Sequence, residues 1–237
     1  MIALVVNADD LGLCPEVDAG IVRAHEEGIV TSASLMVDGA SAADALAMAA
    51  EHPCLGLGLH LDLGEWVVEA GEWRQRRRVA DTGDPVAVAG ELERQLARFR
   101  ALTGRDPDHL DSHQHVHRTE PVRSILGVRA RELRLPLRHH GRVRYRGDFH
   151  GRGGDGAPLP EAITSDALAA LVEGLGDWAS ELCCHPATAP PPGEAYGVER
   201  VRELEALCDP RVRVAVARSG VRLCTFDEAL GRIPTRR

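Results

Sequence analysis

The chain has 237 residues, 44% of them hydrophobic and 27% charged, which suits one large α/β domain with a sizeable core spanning 1–237. A net charge of -8 argues against a nucleic-acid partner, because a phosphate backbone is bound through a basic face. No apolar run approaches the roughly 20 residues needed to span a bilayer, and with only 3% aromatic residues the core must be aliphatic.

Residues 2–6 read as a buried strand that meets Asn7 at once. This start is too short and insufficiently basic for a signal-peptide core, which points to a cytoplasmic protein. Val17, Ile21, Ala24 and His25 recur at helical spacing until Gly28. A short strand over 32–37, an alanine-rich helix over 41–51 and a strand over 55–63 follow. Residues 64–89 form a long insertion carrying Trp66, Trp73 and a basic run at 74–78 that reads as a solvated loop. Either tryptophan can stack on a ligand or pack against the domain. A helix over 91–102, a strand at Leu110, a helix over 121–133 with proline in its opening turn and a short strand over 135–137 come next. The stretch 141–160 is rich in Gly, Arg and Pro, and a loop that long in a compact domain is functional or mobile. Its basic cluster, 142–152, also reads as solvated. Segments 165–173, 181–184, 198–207, 221–224 and 226–230 complete the alternation. The six cysteines show no CxxC pair and no disulfide framework, so they read as reduced thiols.

Alternating strands and helices favour a parallel sheet covered by helices. The polar fragments Asp9-Asp10, His60, His113 and His185 all fall at or just beyond the carboxyl ends of different predicted strands, the rim where catalytic groups gather in a (β/α) barrel. The expected fold is therefore a (β/α) barrel, preferred to an open sheet and irregular, with fewer than eight complete repeats. In Leu110-Asp111-Ser112-His113-Gln114-His115-Val116-His117, an extended chain would put Asp111, His113, His115 and His117 on one face.

Each fragment taken alone has a plainer reading: Asp9 and Asp10 as capping aspartates, His60 as a hydrogen-bonded core histidine, His185 as a loop residue held extended by Pro186. Together, two imidazoles and a carboxylate with open positions form the usual set for a catalytic divalent ion. Not all of His113, His115 and His117 can be ligands, so one or two of them orient ligands or touch substrate.

These residues resemble the YdjC-like family of carbohydrate deacetylases, which includes chitooligosaccharide and hopanoid-associated deacetylases. The likeness covers nearly the whole chain. It rests on Asn7-Ala8-Asp9-Asp10-Leu11-Gly12, Gly28-Ile29-Val30-Thr31-Ser32 with Ser34-Leu35-Met36-Val37, Gly58-Leu59-His60 and the 110–117 block. Glu181-Leu182-Cys183-Cys184-His185-Pro186 and Tyr196-Gly197-Val198-Glu199-Arg200 with Glu203-Leu204 complete it. The resemblance implies a hydrolase on a distorted (β/α) barrel that removes an acetyl group from an N-acetylated sugar, releasing acetate and a free amine. It implies one divalent metal ion, with Mg²⁺ favoured, although imidazole ligation also suits Zn²⁺. Carried over by position, Asp10, His60 and His113 are metal ligands, Asp9 the general base and His185 the general acid. Asn7, Asp111, His115, His117, Tyr196 and Arg200 contact substrate or support these groups. Leu11 and Cys14 depart from the common Phe and Ser, and 64–89 and 141–160 follow no family pattern.

Other readings keep the metal but change the bond, as in a phosphoesterase or a sugar isomerase, or keep only the fold, as in a non-catalytic sugar-binding relic. The expected partner is a small acetylated sugar, without nucleic acid or membrane span, and a homodimer is the commonest symmetric assembly.

Overall fold

The computed structural model describes residues 2–69, 71–154 and 156–231. Positions 70 and 155, within the two predicted loops, lie outside the described residues, as do 1 and 232–237. The apolar start of the chain forms β1 (Ile2–Leu11), which continues through the Asn-Ala-Asp-Asp fragment instead of ending before it. Then come α1 (Pro15–Glu26), β2 (Ser32–Leu35), α2 (Ala42–Ala50) and β3 (Gly56–Leu61).

The predicted insertion is a regular antiparallel hairpin of β4 (Gly64–Glu69) and β5 (Glu72–Arg78). Its basic run lies on a strand whose residues are all exposed, so the side chains are solvated as expected although the backbone is not a loop. α3 (Pro85–Thr103) begins six residues earlier than the sequence pattern suggests. Asp84 caps it by accepting from the Val86 N–H at 2.9 Å, Pro85 opens its first turn, and Gly104, at φ 70°, ends it.

β6 (Leu110–Ser112) is followed by a 3-10 turn, His113–Arg118, and then by α4 (Val122–Leu133). The strand expected over 135–137 is reduced to bridges from Leu137 to Leu110 and His140. The stretch read as irregular contains β7 (Arg144–Arg146). α5 (Ser165–Glu173), β8 (Ser180–Cys184) and α6 (Gly197–Leu207) follow. α7 (Pro210–Ser219) was not anticipated. Its Val212, Val214 and Val216 alternate like a strand, but Val212, Ala215 and Val216 are the buried set, at helical spacing. β9 (Val221–Leu223) and α8 (Phe226–Ala229) close the described chain.

Seven parallel strands make one sheet in the order β6-β3-β2-β1-β8-β7, with β9 on β1. β9 pairs with residues 2–4 of β1 and β2 with residues 7–11, so the long first strand serves two neighbours in succession. The sheet curls into an incomplete barrel, in line with the expected distorted (β/α) architecture, and every parallel strand ends on one rim. β1, β2, β3, β6 and β8 are buried on both faces apart from the first residues of β1, in keeping with a parallel sheet covered by helices, whereas β7 and β9 are partly exposed. Helices pack outside, α3 against β3 and α4, and α5 against α6 and α7. All six cysteines are free thiols.

Phe99 of α3 is fully buried in this layer, whereas Val86 at the start of the same helix is 80% exposed. Phe99→Ala is expected to lower unfolding free energy by about 3–5 kcal/mol, and Val86→Ala by less than about 0.5 kcal/mol. Chemical denaturation of the two variants checks this, and similar losses would contradict the packing.

Candidate active site

β1 supplies two carboxylates because its ladder is irregular. Asn7 and Ala8 pair with Ser32 and Ala33, but the next partner of Leu35 is Leu11, so an extra residue is accommodated at Asp9-Asp10. Asp10 takes φ 71°. This bulge lets adjacent residues, which would face opposite ways in a regular strand, both reach His60: Asp10 Oδ1 lies 3.2 Å from its Nε2, and Asp9 groups with His60 and Asp111.

His60 and Asp111 are direct cross-strand neighbours on β3 and β6. His60 Nδ1 is hydrogen-bonded to Asp111 Oδ1 at 2.7 Å, which turns Nε2 toward Asp10. Behind Asp111, Ser34 donates to its Oδ2 at 2.7 Å, and the Ser34 hydroxyl is also 2.9 Å from His109 Nε2. His109 in turn is hydrogen-bonded to Asp108. Gly58 makes room for this ring, since a Cβ there would fall 2.2 Å from the imidazole.

The extended alternation expected through 113–117 does not occur. The chain turns at His113, and Gln114 and His115 adopt left-handed φ values of 52° and 54°. His113 alone therefore faces Asp10, with Nδ1 3.0 Å from Oδ1, while His115 and His117 gather with His139 and Tyr145 on the other side of the turn. Gln114 anchors the hairpin by exchanging two 2.8 Å hydrogen bonds with the Trp66 backbone. Trp66 is half-buried and Trp73 is 63% exposed.

Asp9 is gripped by Arg138, whose Nη1 and Nη2 lie 2.6 and 2.7 Å from its two oxygens, and by Asn7 Nδ2 at 2.9 Å. Arg138 also reaches Asp111 at 2.9 Å and Glu181 at 2.6 Å. Burial alone would raise the Asp9 carboxyl, but Arg138 overrides it and holds it at about 2. The same competition, with Arg200 as the opposing charge, keeps Asp10 well below the usual carboxylate range. Arg200 meets Asp10 Oδ2 at 2.6 Å, leaving Oδ1 to the two imidazoles.

His185 stands just past β8. Its Nε2 is 3.9 Å from Asp9 Oδ2 and its Nδ1 3.7 Å from Glu203 on α6, which also accepts from its backbone N–H. Burial pushes His185 down, yet the neighbouring Glu203 carboxylate raises it above its ordinary value. The Tyr196 hydroxyl is taken up by Glu203 and the Gly151 N–H, and its ring, stacked on His150 at 4.5 Å, walls the His185 side.

Sequence reasoning missed Arg138, and it gave no role to Glu181, Glu203, Tyr145 or His150. The available signal for Arg138 was a cation directly after the apolar Leu135-Pro136-Leu137, in the same strand-end position as the other polar fragments.

Asp10, His60 and His113 present one ligand atom each, all within 4.8 Å of one another. Two nitrogens converging on one carboxylate oxygen, with His60 oriented by Asp111, fit a divalent ion. Charge allows the same reading. Among the described residues, Asp9, Asp10, Asp111, Glu181 and Glu203 are buried with two guanidinium groups, Arg138 and Arg200, so the rest of their charge falls to protons on the neighbouring imidazoles or to a bound cation.

Residues 3–218 match the family model described as YdjC-like protein. Among curated relatives, a carbohydrate deacetylase of Geobacillus stearothermophilus is 35% identical, over 94% of this chain and 96% of its own. A chitooligosaccharide deacetylase of Yersinia pestis is 33% identical, over 94% and 97%. Among solved structures, an Enterococcus faecalis protein provisionally assigned to cellobiose-phosphate cleavage superposes with a TM-score of 0.79 at 25% identity, covering 96% of this chain and 98% of that one.

Arg138→Gln is expected to cost about 3–5 kcal/mol of stability at pH 7, since three carboxylates lose their shared partner. In the unaltered protein Asp9 has a folded value of about 2 against an ordinary 3.8, so its stabilising contribution is complete above about pH 4 and is lost as pH falls toward 2. The gap between the two proteins should therefore narrow on acidification. Urea unfolding from pH 7 to 2.5 measures it, and a constant gap would contradict the pairing.

Proposed function

The chain belongs to the YdjC-like protein family, and on that premise we propose that it is a divalent-metal-dependent carbohydrate N-deacetylase that hydrolyses the acetamide of an N-acetylated sugar. The observation that carries this reading is the convergence of Asp10, His60 and His113 beside a second carboxylate, Asp9, and a third imidazole, His185, on one rim. Asp10, His60 and His113 are the ligands, and Mg²⁺ is the favoured ion, with Zn²⁺ also suited to the two imidazoles. A bound ion supplies a Lewis acid for the acetamide carbonyl and a positive charge that favours ionisation of water.

The chain's own groups then divide the proton work. Arg138 keeps Asp9 ionised at any working pH, and Asn7 fixes its orientation. Asp9 takes a proton from the attacking water as the new C–O bond forms. His185, whose proton is favoured by Glu203, gives it to the sugar nitrogen as the C–N bond breaks. The products are acetate and a free amine. Asp9 is then protonated and His185 neutral, and transfer across the 3.9 Å between them restores both. The weak basicity that Arg138 imposes on Asp9 favours this return. Arg200 and Asp111 act as positioning residues, holding Asp10 and His60 respectively.

Acetate release from a panel of N-acetylated mono- and oligosaccharides, with Mg²⁺ or Zn²⁺ and with chelator, tests the proposal. Asp9→Asn is expected to keep metal binding and lose about 10²–10⁴-fold in turnover, while His60→Ala loses both. Full activity in chelator, or in Asp9→Asn, would overturn the assignment.

A further inference from the structure

Three imidazoles that this reaction does not use face one another beside Arg138. His115 and His117 come from the turn after β6, and His139 from the bend that follows Arg138. Their ring centroids lie 6.1 Å (His115–His117), 5.2 Å (His115–His139) and 5.4 Å (His117–His139) apart. One ring nitrogen from each falls within 4.8 Å of those of the other two. His115 Nδ1, His117 Nε2 and His139 Nε2 are shielded from solvent and have no hydrogen-bond partner. Buried polar atoms ordinarily find partners, so three orphaned nitrogens in one cluster mark a place built for something that accepts their lone pairs. Two of the rings are held from behind, His117 Nδ1 by Ser112 Oγ and His115 Nε2 by the Tyr145 hydroxyl at 3.2 Å. Outer hydrogen bonds of this kind orient ligating histidines.

The geometry points to a second metal site, formed by His115, His117 and His139 and separate from the Asp10, His60, His113 set. Its donors are all imidazole nitrogens, which selects Zn²⁺ or a neighbouring transition ion over Mg²⁺. Bonds of about 2.0–2.1 Å in a tetrahedron place ligand nitrogens about 3.4 Å apart, so side-chain rotation of roughly an ångström closes the cluster on the ion. Repulsion from Arg138 is limited, because that guanidinium is already matched by Asp9, Asp111 and Glu181.

Gln114, His115 and His139 are held at φ 52°, 54° and 64°, conformations that non-glycine residues adopt only when their surroundings enforce them. An ion on these three rings ties the turn that presents His113 to the bend that presents Arg138. The site is thus structural, and it keeps two parts of the active site in register.

Zinc content after dialysis, measured by elemental analysis, tests the site. His139→Asn is the informative variant, since asparagine tolerates the left-handed backbone at 139. Zinc-loaded wild type is expected to carry one more equivalent than His139→Asn. In an Asp10→Asn background, which disables the other centre, one equivalent should remain and should vanish when His139→Asn is added. Co²⁺ bound to the Asp10→Asn chain should show the intense visible bands of tetrahedral coordination. Equal zinc content with and without His139→Asn, in either background, would overturn the second site while leaving the deacetylase reading untouched. Failure of chelator-sensitive acetate release would do the reverse.

Discussion

Arg138 is the counter-charge on which the active site depends. Its guanidinium is buried and touches Asp9 of β1, Asp111 of β6 and Glu181 of β8, so one side chain joins three strands of the sheet through charge-assisted hydrogen bonds. Without it the rim would gather carboxylates that repel one another in a medium too poor in water to screen them. With it, Asp9 can remain ionised and dry, and Asp111 is free to orient His60. The same principle operates once more at Arg200, which takes one oxygen of Asp10 and leaves the other to the imidazoles.

Two local departures from regular backbone make that charge network possible. The bulge at Asp9-Asp10 turns both carboxylates toward His60, and the left-handed pair Gln114-His115 divides the histidines of the 110–117 block between two clusters. In both places a strand that followed its period would have built a different site. The other pairings of the sheet keep a continuous register, and they supply the rigidity against which these departures are held.

The elements and the rim were largely legible in the sequence, because apolar runs of strand length alternate with helical periodicity and the polar fragments fall where the runs end. His60 and His113 could be grouped with an aspartate from residue type and position at strand ends, whereas the choice of Asp10 over Asp9 came from the family resemblance. The partition of His115 and His117 away from His113 could not, since period-two reasoning presumes an extended chain and nothing in Gln114-His115 announces a left-handed turn. Arg138 was hidden for another reason: its importance lies in three partners 27 to 129 positions away, a relation that no local pattern encodes. α7 went unread because its valines alternate, and only packing against α5 shows that the helical face wins.

The convergence of Asp10, His60 and His113 gives the account its central claim, that these three side chains hold a divalent cation. Anomalous X-ray scattering from crystals grown with Mn²⁺ examines those ligands directly. The expected result is a peak within bonding distance of Asp10 Oδ1 and of one nitrogen each of His60 and His113. A refined structure at millimolar Mn²⁺ with no peak among those three side chains would contradict it.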